Sequence, residues 1–374
     1  MEFLVNILIF CIVLFLYTHI YFHLKTSDDL EMYEIDKPSK VKLEEICDLR
    51  QPVLFNYENE KMSEICCREN INDNYGAFDV KIRNVKLKLN EDDDIYVPIS
   101  FVSSQKAMNE DIEGKYLIEN NCDFLEETGI LKTFRYNDLF LRPYMVSMCM
   151  YDYMSGSNGT CSPLRYDINY RNYYLVTEGS VDIKLTPPRS SKYLYITNDY
   201  ENFEFRSPLN LWNIQNEYKT NYDKIKSLDI TLKKGQILFI PSYWLYTIRF
   251  NCSSSVCSFK YRTYMNTISI FPQLFMRFLQ YGNVERNIVH KKNDSTPIKD
   301  VVVDVFVDKK KEKENENENE KENENENEKK KENENENEKE NENEKEKEKE
   351  KIEDKLFTIE DDSSSTYIDN LPFQ

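Results

Sequence analysis

The segment GQILFIPSYWLYTI, residues 235–248, carries the clearest indication of fold in this chain. Gly235 forms a turn that leads into a short apolar strand, and Pro241 ends that strand beside two aromatic residues. A second apolar strand is predicted at residues 247–250. Short strands bounded by glycine and proline are typical of a β-rich domain.

Strands of this kind recur along most of the chain. We expect them at residues 51–55, 77–89 (as a strand or a hairpin), 144–151, 173–177, 181–185, 193–196, 228–232, 237–240, 247–250 and 256–261. Residues 114–129 predict a strand and then a helix, and further helices are predicted at residues 38–49 and 273–281. Glu178–Gly179 predicts a tight turn between two of the strands. So many short strands favour a β-barrel or a β-sandwich with flanking helices.

Residues 3–22 read FLVNILIFCIVLFLYTHIYF, a mostly apolar run of about 20 residues, which is the length a helix needs to cross a bilayer. We interpret residues 1–24 as a single-pass membrane anchor. The alternatives are a cleaved signal peptide and a buried globular helix; acidic Glu2 and the bulky residues after the run argue against the signal peptide. Basic residues follow the run and none precedes it, which favours a cytosolic location for the rest of the chain. Three Asn-x-Ser/Thr triplets, at Asn158, Asn251 and Asn293, favour the opposite orientation.

Residues 309–351 consist of Lys, Glu and Asn without one aromatic or aliphatic side chain. Such a segment cannot bury apolar surface, so we expect residues 309–374 to be a disordered tail, joined to the domain by a linker at residues 291–308. Residues 308–374 hold 14 Lys against 26 Asp plus Glu, a net charge of −12 out of −18 for the chain. The remaining −6 leaves no basic surface that would predict nucleic-acid binding.

The few histidines restrict the possible chemistry. His19, His23 and His290 are the three in the chain, so a body without histidine between residues 23 and 290 cannot form a His-based triad or a two-histidine metal site. The i, i+4 spacing of His19 and His23 could bind a metal, although polar rings are normal at a membrane interface. The cysteines form no C-x-x-C pair, which argues against a zinc site. Cys252 and Cys257 either close a small hairpin disulfide or remain two thiols.

Two sequence blocks resemble a known family. The first is PLRYD at residues 163–167, followed by NYY at 172–174, Gly179 and IKLTPP at 183–188; the second is residues 235–246. In order and spacing they resemble the JmjC-type, cupin-8-like branch of the 2-oxoglutarate/Fe(II) oxygenases, with a pattern closest to the protein-asparaginyl hydroxylases. The resemblance covers about residues 33–275. It implies a double-stranded β-helix, which we place at residues 35–290 after a linker at residues 25–34.

The family binds Fe(II) through two histidines and one carboxylate, and it pairs the cosubstrate with a lysine. Transferred residue by residue, the resemblance places Arg165 and Tyr246 at the histidine positions and Asp167 at the carboxylate position. Val181 takes the position of the lysine, and Lys184 faces the opposite side of the strand. Because a guanidinium has no lone pair for a metal, we expect a degenerate site without metal, and neither Fe(II) nor 2-oxoglutarate as cofactor.

Arg165 and Asp167 are two residues apart on a predicted strand and therefore share a face. We expect Arg165 to replace the positive charge of the metal and to pair with Asp167, while Tyr246 adds a hydrogen bond. Three interpretations of this trio remain open. It simply fills the pocket, it forms a small-anion or peptide site on Arg165, or it keeps residual metal chemistry through Asp167 and Tyr246. Further candidates for the pocket are Asn172, Tyr174 and Trp244.

The sequence therefore predicts a membrane-anchored cupin-like domain that is inactive as an oxygenase and acts in binding or scaffolding with an unknown protein partner. One alternative is a divergent 2-oxoglutarate/Fe(II)-type protein hydroxylase with an atypical metal site. A second alternative is a purely structural membrane protein. The family often dimerises through C-terminal helices, which implies a possible homodimer through residues 273–281.

Overall fold

The computed structural model describes residues 1–86, 96–200 and 202–285 of the 374-residue chain. The helices are α1 (Glu2–Leu24), α2 (Lys40–Cys47), α3 (Glu60–Ile65), α4 (Arg68–Tyr75), α5 (Phe101–Glu110), α6 (Cys122–Glu127), α7 (Ile130–Asn137), α8 (Lys219–Tyr222), α9 (Tyr264–Ser269) and α10 (Phe271–Glu285). The strands are β1 (Tyr33–Ile35), β2 (Val53–Asn56), β3 (Asp79–Asn84), β4 (Val97–Ser100), β5 (Tyr116–Ile118), β6 (Val146–Gly156), β7 (Leu164–Tyr166), β8 (Arg171–Glu178), β9 (Ser180–Thr186), β10 (Thr197–Asp199), β11 (Glu204–Ser207), β12 (Leu228–Lys233), β13 (Gln236–Phe239), β14 (Leu245–Phe250) and β15 (Ser255–Thr263).

These strands form two sheets. The larger has the order β1-β2-β13-β8-β15-β6-β5-β3-β4, and the smaller has the order β10-β11-β7-β14-β9-β12. Among the described strands, all pairs are antiparallel except β1 with β2. The mainly β fold with two large antiparallel sheets and flanking helices confirms the predicted cupin-type architecture.

The alternation of side chains along each strand separates two apolar cores. One core lies on the outer face of the larger sheet. There Tyr173 and Phe259 share an apolar cluster with Leu43 of α2 and Phe134 of α7. The other lies between the two sheets and includes Val176 from the larger sheet and Ile248 from the smaller one. Side chains on the inner faces of both sheets therefore share a single enclosed interior, which contains the candidate site.

The turn predicted at Glu178–Gly179 joins β8 to β9, which lie in different sheets. β8 pairs with β13 and β15 in the larger sheet, whereas β9 pairs with β14 and β12 in the smaller one. Gly179 has a φ of 68°, and a Cβ atom there would lie 2.9 Å from the carbonyl oxygen of Ser253. The glycine is needed at a crowded corner where the chain crosses from one sheet to the other.

The prediction of a strand at residues 193–196 is wrong. A 3₁₀-helix occupies Pro188–Tyr193, and β10 begins only at Thr197. Pro188 lies in the first turn of that helix, where its fixed φ and missing N–H group are tolerated. Tyr195 has a φ of 49°, so the backbone between the helix and β10 is not extended.

Most of the other predicted elements are confirmed. They include α2, which Ser39 caps by accepting a hydrogen bond from the Lys42 amide, and α10, which begins two residues before the predicted start at residue 273. α1 is one helix that is long and apolar enough to cross a bilayer, and a signal sequence near the N-terminus would meet the same criterion. The predicted linker at residues 291–308 and tail at 309–374 lie outside the described residues.

Candidate functional site

Arg165 and Tyr246 are brought together by strand pairing. β7 and β14 are neighbours in the smaller sheet, and their register places Tyr246 directly opposite Arg165. Both side chains are buried in the interior between the sheets, and the Arg165 Nε donates a hydrogen bond of 3.2 Å to the Tyr246 hydroxyl. Two of the predicted site residues therefore form one hydrogen-bonded pair.

Asp167 follows β7 and completes the predicted trio. The hydroxyls of Tyr246 and Tyr174 lie 2.9 and 3.0 Å from Asp167 Oδ2, and the two hydroxyls are 2.6 Å from each other. Tyr174 comes from β8 in the larger sheet, so this cluster joins the two sheets across the interior. Burial raises the pKa of the Tyr246 hydroxyl, and the neighbouring Asp167 carboxylate adds to that effect, so Tyr246 is a neutral donor.

The cation that contacts Asp167 is Lys260, which the sequence reasoning missed. Its Nζ lies 3.0 Å from both carboxylate oxygens of Asp167. Burial would raise the pKa of Asp167, but Lys260 and Arg165 outweigh it and hold that pKa below its usual range. Burial would lower the pKa of Lys260, and the Asp167 carboxylate overcomes this, so the pKa of Lys260 lies above its usual range. The pair is therefore fully ionised at neutral pH.

The predicted ion pair between Arg165 and Asp167 is wrong. The Arg165 guanidinium donates instead to Glu119, with 2.6 Å between Nη2 and Oε2, and lies 3.4 Å from Glu204. Tyr246 links Arg165 to Asp167 without a direct ion pair. Glu119 directly follows β5 of the larger sheet, so this contact joins the two sheets across the interior.

Glu119 is the most enclosed carboxylate of the network. It also forms an ion pair with Arg83 and accepts a hydrogen bond of 3.0 Å from the Tyr96 hydroxyl. Burial would raise its pKa, but Arg165 and Arg83 outweigh that and lower it to about 2. The ionised groups thus alternate in sign from Lys260 to Asp167, across Tyr246 to Arg165, and on to Glu119 and Arg83.

A family model described as a cupin-like domain matches residues 88–266. The chain contains a cupin-like domain. The matched segment runs from β4 to β15 and holds all of the predicted site positions. No curated protein matches the chain.

The residues of this cupin-like domain do not fit the Fe(II) centre of the oxygenases it resembles. That centre needs two imidazoles, one free carboxylate and open positions for ligands. At the positions that the resemblance assigns to the imidazoles lie a guanidinium and a phenol, and the carboxylate of Asp167 contacts the ammonium of Lys260. Within the part of the chain that the structure describes, no group of three or more His, Cys, Asp or Glu side chains could hold a metal ion.

The cosubstrate position of the cupin-like domain does not fit a dicarboxylate either. Val181 is fully buried in the apolar core between the sheets. Lys184 points to the outer face of β9, as predicted, where it lies 3.2 Å from Asp229 and 4.9 Å from the centre of the Trp212 ring. No cation on β9 therefore faces the interior where the cosubstrate carboxylate would have to be paired.

The remaining candidates have structural contacts. Asn172 donates to the carbonyl oxygen of Ile240 at 3.2 Å, which ties β8 to the end of β13, and Trp244 is fully buried between the sheets. Neither has a hydrogen bond to the trio, whereas Tyr174 belongs to it. Cys252 and Cys257 are free thiols.

One signal in the sequence could have identified Lys260. It lies on β15 between Phe259 and Tyr261, both of which pack in the outer core. The alternation of a strand therefore places Lys260 on the inner face, where an unpaired ammonium is too costly to bury. A lysine at such a position requires a carboxylate partner in the interior, and Asp167 was already a candidate.

Proposed function

We propose that the protein is a membrane-anchored cupin-like domain that lacks oxygenase activity and acts by binding or scaffolding. The observation that carries this proposal is the contact of Lys260 with both oxygens of Asp167, at the position where the family holds its metal. The ammonium supplies a positive charge there, and Arg165 supplies a second one on the other side of Tyr246.

Electrostatics supports the absence of a metal. Two unit charges 4 Å apart interact by about 4 kcal/mol at the effective dielectric of a protein, so a divalent ion at that distance from one cation meets about 8 kcal/mol of repulsion. An Fe(II) ion on Asp167 would have to displace Lys260 and would still lie beside Arg165. The phenol of Tyr246, whose pKa is raised by burial, gives little anionic character to offset this.

Calorimetric titration of the detergent-solubilised full chain with Fe(II) and Mn(II) tests the loss of the metal site. We expect no stoichiometric binding and no decarboxylation of 2-oxoglutarate above background. Micromolar binding of one metal ion, abolished in Asp167→Ala, would contradict the proposal and favour the divergent hydroxylase.

A groove on the outside of the smaller sheet supports a binding role. It has a volume of about 610 Å³, and its walls include Tyr166, Tyr195, Tyr243 and Asn198. Aromatic rings with a few polar groups are typical of sites that bind peptides or small molecules. We expect Tyr195→Ser to lose a crosslinked partner that the wild type and Tyr136→Ser, an exposed tyrosine outside the groove, both retain. Equal crosslinking in all three would favour the purely structural alternative.

We further propose that α1 is retained as a single-pass anchor with the domain on the cytosolic side. Asn158 is exposed and lies in an Asn-Gly-Thr triplet, so a luminal domain would be glycosylated there. We expect no change in electrophoretic mobility after endoglycosidase treatment and none in Asn158→Gln. A glycan lost in Asn158→Gln would reverse the orientation, and a mature N-terminus beyond residue 24 would show that α1 is a cleaved signal.

A further inference from the structure

α10 exposes an apolar face. Phe271, Phe275 and Phe278 are spaced at i, i+4 and i+7 and therefore lie on one side of the helix. Phe271 is 62% exposed and Phe278 is 70% exposed, and the rings of Phe271 and Phe275 stack with their centres 6.1 Å apart. Met276 and Leu279 are exposed beside them. A contiguous apolar surface of this kind marks a site of contact with a membrane or another protein.

Leu274 and Arg277, on the flank of α10 beside this face, contact the domain. Leu274 packs against the small buried cluster that contains Ile270 and Phe205. The Arg277 guanidinium lies over the ring of Phe203, 5.0 Å from its centre. These contacts leave Phe271, Phe275 and Phe278 exposed, so the domain does not cover the apolar face of α10.

The helix that precedes α10 lies next to the end of the candidate membrane helix. α10 follows α9, and Thr263 at the start of α9 lies with its hydroxyl 3.3 Å from the Nε2 of His23 in α1. A groove of about 530 Å³ separates α1 from the domain. Phe15, His19 and Phe22 line one wall of the groove, and Tyr144, Met145 and Tyr264 line the other.

The length of α1 that borders the groove indicates how deep in the bilayer the facing domain residues lie. From Phe15 to His23 the helix rises about 12 Å, at about 1.5 Å per residue. A bilayer has a hydrocarbon core about 30 Å thick, and α1 needs nearly its whole length of about 34 Å to cross it. The last turns of α1 therefore lie inside one leaflet when the helix spans a bilayer. Domain residues that face those turns, including exposed Tyr144 and Met145, lie at the same depth.

We propose that the start of α9, the apolar face of α10 and residues 143–145 form a surface that is embedded in the leaflet from which α1 emerges. The occupant of this surface is lipid, because residues 143–145 and the start of α9 face α1 across the groove, and α10 follows α9 directly. Residues 271–280 contain no acidic side chain, which suits contact with a lipid interface. Tyrosines at its edge match the preference of aromatic rings for that depth. The inference rests on the proposed retention of α1 as an anchor.

Photocrosslinking of the full chain in phosphatidylcholine vesicles tests this surface. The photoreactive residue p-benzoylphenylalanine is placed at position 275 in α10. The same residue at position 10 in α1 reports on the anchor itself, and at position 112, where Ile112 is 99% exposed after α5, it serves as the aqueous control. We expect lipid adducts at positions 10 and 275, detected by mass spectrometry, and none at position 112.

The outcomes distinguish the proposal that α1 is a retained anchor from the proposal that the surface is embedded in the leaflet. A lipid adduct at position 10 without one at position 275 overturns the embedded surface and leaves the anchor intact. A crosslinked product of twice the chain mass from position 275 overturns it too, because a second copy then covers α10. No adduct at position 10 overturns both proposals.

Discussion

Replacing Lys260 with methionine tests the network at its most informative contact. Methionine preserves much of the length and apolar surface of the lysine side chain but removes its charge. The Asp167 carboxylate then loses the ammonium that lies 3.0 Å from both of its oxygens. The tyrosine hydroxyls continue to donate to it, so the variant isolates the effect of the missing charge.

The structure sets the magnitude. Breaking a buried ion pair by removing one partner costs about 3–5 kcal/mol. The side chains of Lys260 and Asp167 are 21% and 19% exposed, so solvent screening reduces the expected loss to about 2–3 kcal/mol. A domain of this size loses about 2–4 °C in Tm per kcal/mol, which gives a decrease of about 4–12 °C. Lys260→Met with Asp167→Asn removes both charges, and we expect it to recover at least half of the loss.

Thermal unfolding of the detergent-solubilised full chain is followed by far-UV circular dichroism, because tryptophan fluorescence would also report on Trp212, which lies beside Lys184. Lys184→Met is the matched control, because Lys184 pairs with the exposed Asp229 on the outer face and should contribute less than about 1 kcal/mol. The reasoning is refuted if Lys260→Met unfolds at the same temperature as Lys184→Met. It is also refuted if the stability losses of Lys260→Met and Asp167→Asn, each measured alone, simply add in the variant that carries both.

Three further predictions concern neighbouring positions. The pKa of Glu119 is lowered from near 4.5 to about 2. Its ionised form therefore contributes about 3 kcal/mol to the free energy of unfolding, which is complete above pH 4.5 and is lost as the pH falls towards 2. Urea unfolding midpoints that fail to decrease between pH 5 and 3 would contradict this prediction. Arg165→His with Tyr246→His should not bind Mn(II) in calorimetry, because Lys260 still occupies Asp167; adding Lys260→Ala should allow binding, and tight binding by the double variant would disprove this. Val181→Lys buries an unpaired ammonium and should lower stability by at least about 3 kcal/mol in the thermal assay, without giving 2-oxoglutarate binding.

The segment that decided the fold was predictable because its signals are local. Gly235 has a φ of 83°, β13 begins at the next residue, and β14 ends at Phe250 as expected. Turn residues and strand alternation depend on neighbours a few positions apart, and they also place Tyr246 on the inner face correctly. The same information placed Arg165 beside it, once the resemblance had aligned the two blocks.

The strand pairing at Glu178–Gly179 and the ion-pair partners of Arg165 and Asp167 could not be predicted for one physical reason, which is that a local sequence pattern does not determine distant partners. The Glu178–Gly179 turn looks the same whether it closes a hairpin or crosses between sheets, and only the pairing of β8 and β9 with distant strands distinguishes the two. Likewise, Arg165 finds Glu119, 46 residues away, and Asp167 finds Lys260, 93 residues away. Strand periodicity predicts the face of a sheet on which these groups lie, but not the partner that each will choose.

Charge balance explains why the changed residues occur as a set. An enclosed carboxylate such as Asp167 needs a compensating cation, and Lys260 provides it. A guanidinium at position 165 requires its own carboxylate, which Glu119 provides, and Glu119 in turn also neutralises Arg83. Each group is thus paired with a charge from a distant part of the chain, and removing Lys260 or Asp167 leaves the other one unpaired between the sheets. Such an interior favours one fixed arrangement over the open coordination positions that oxygen chemistry requires, so a role in binding follows more directly from it than a role in catalysis.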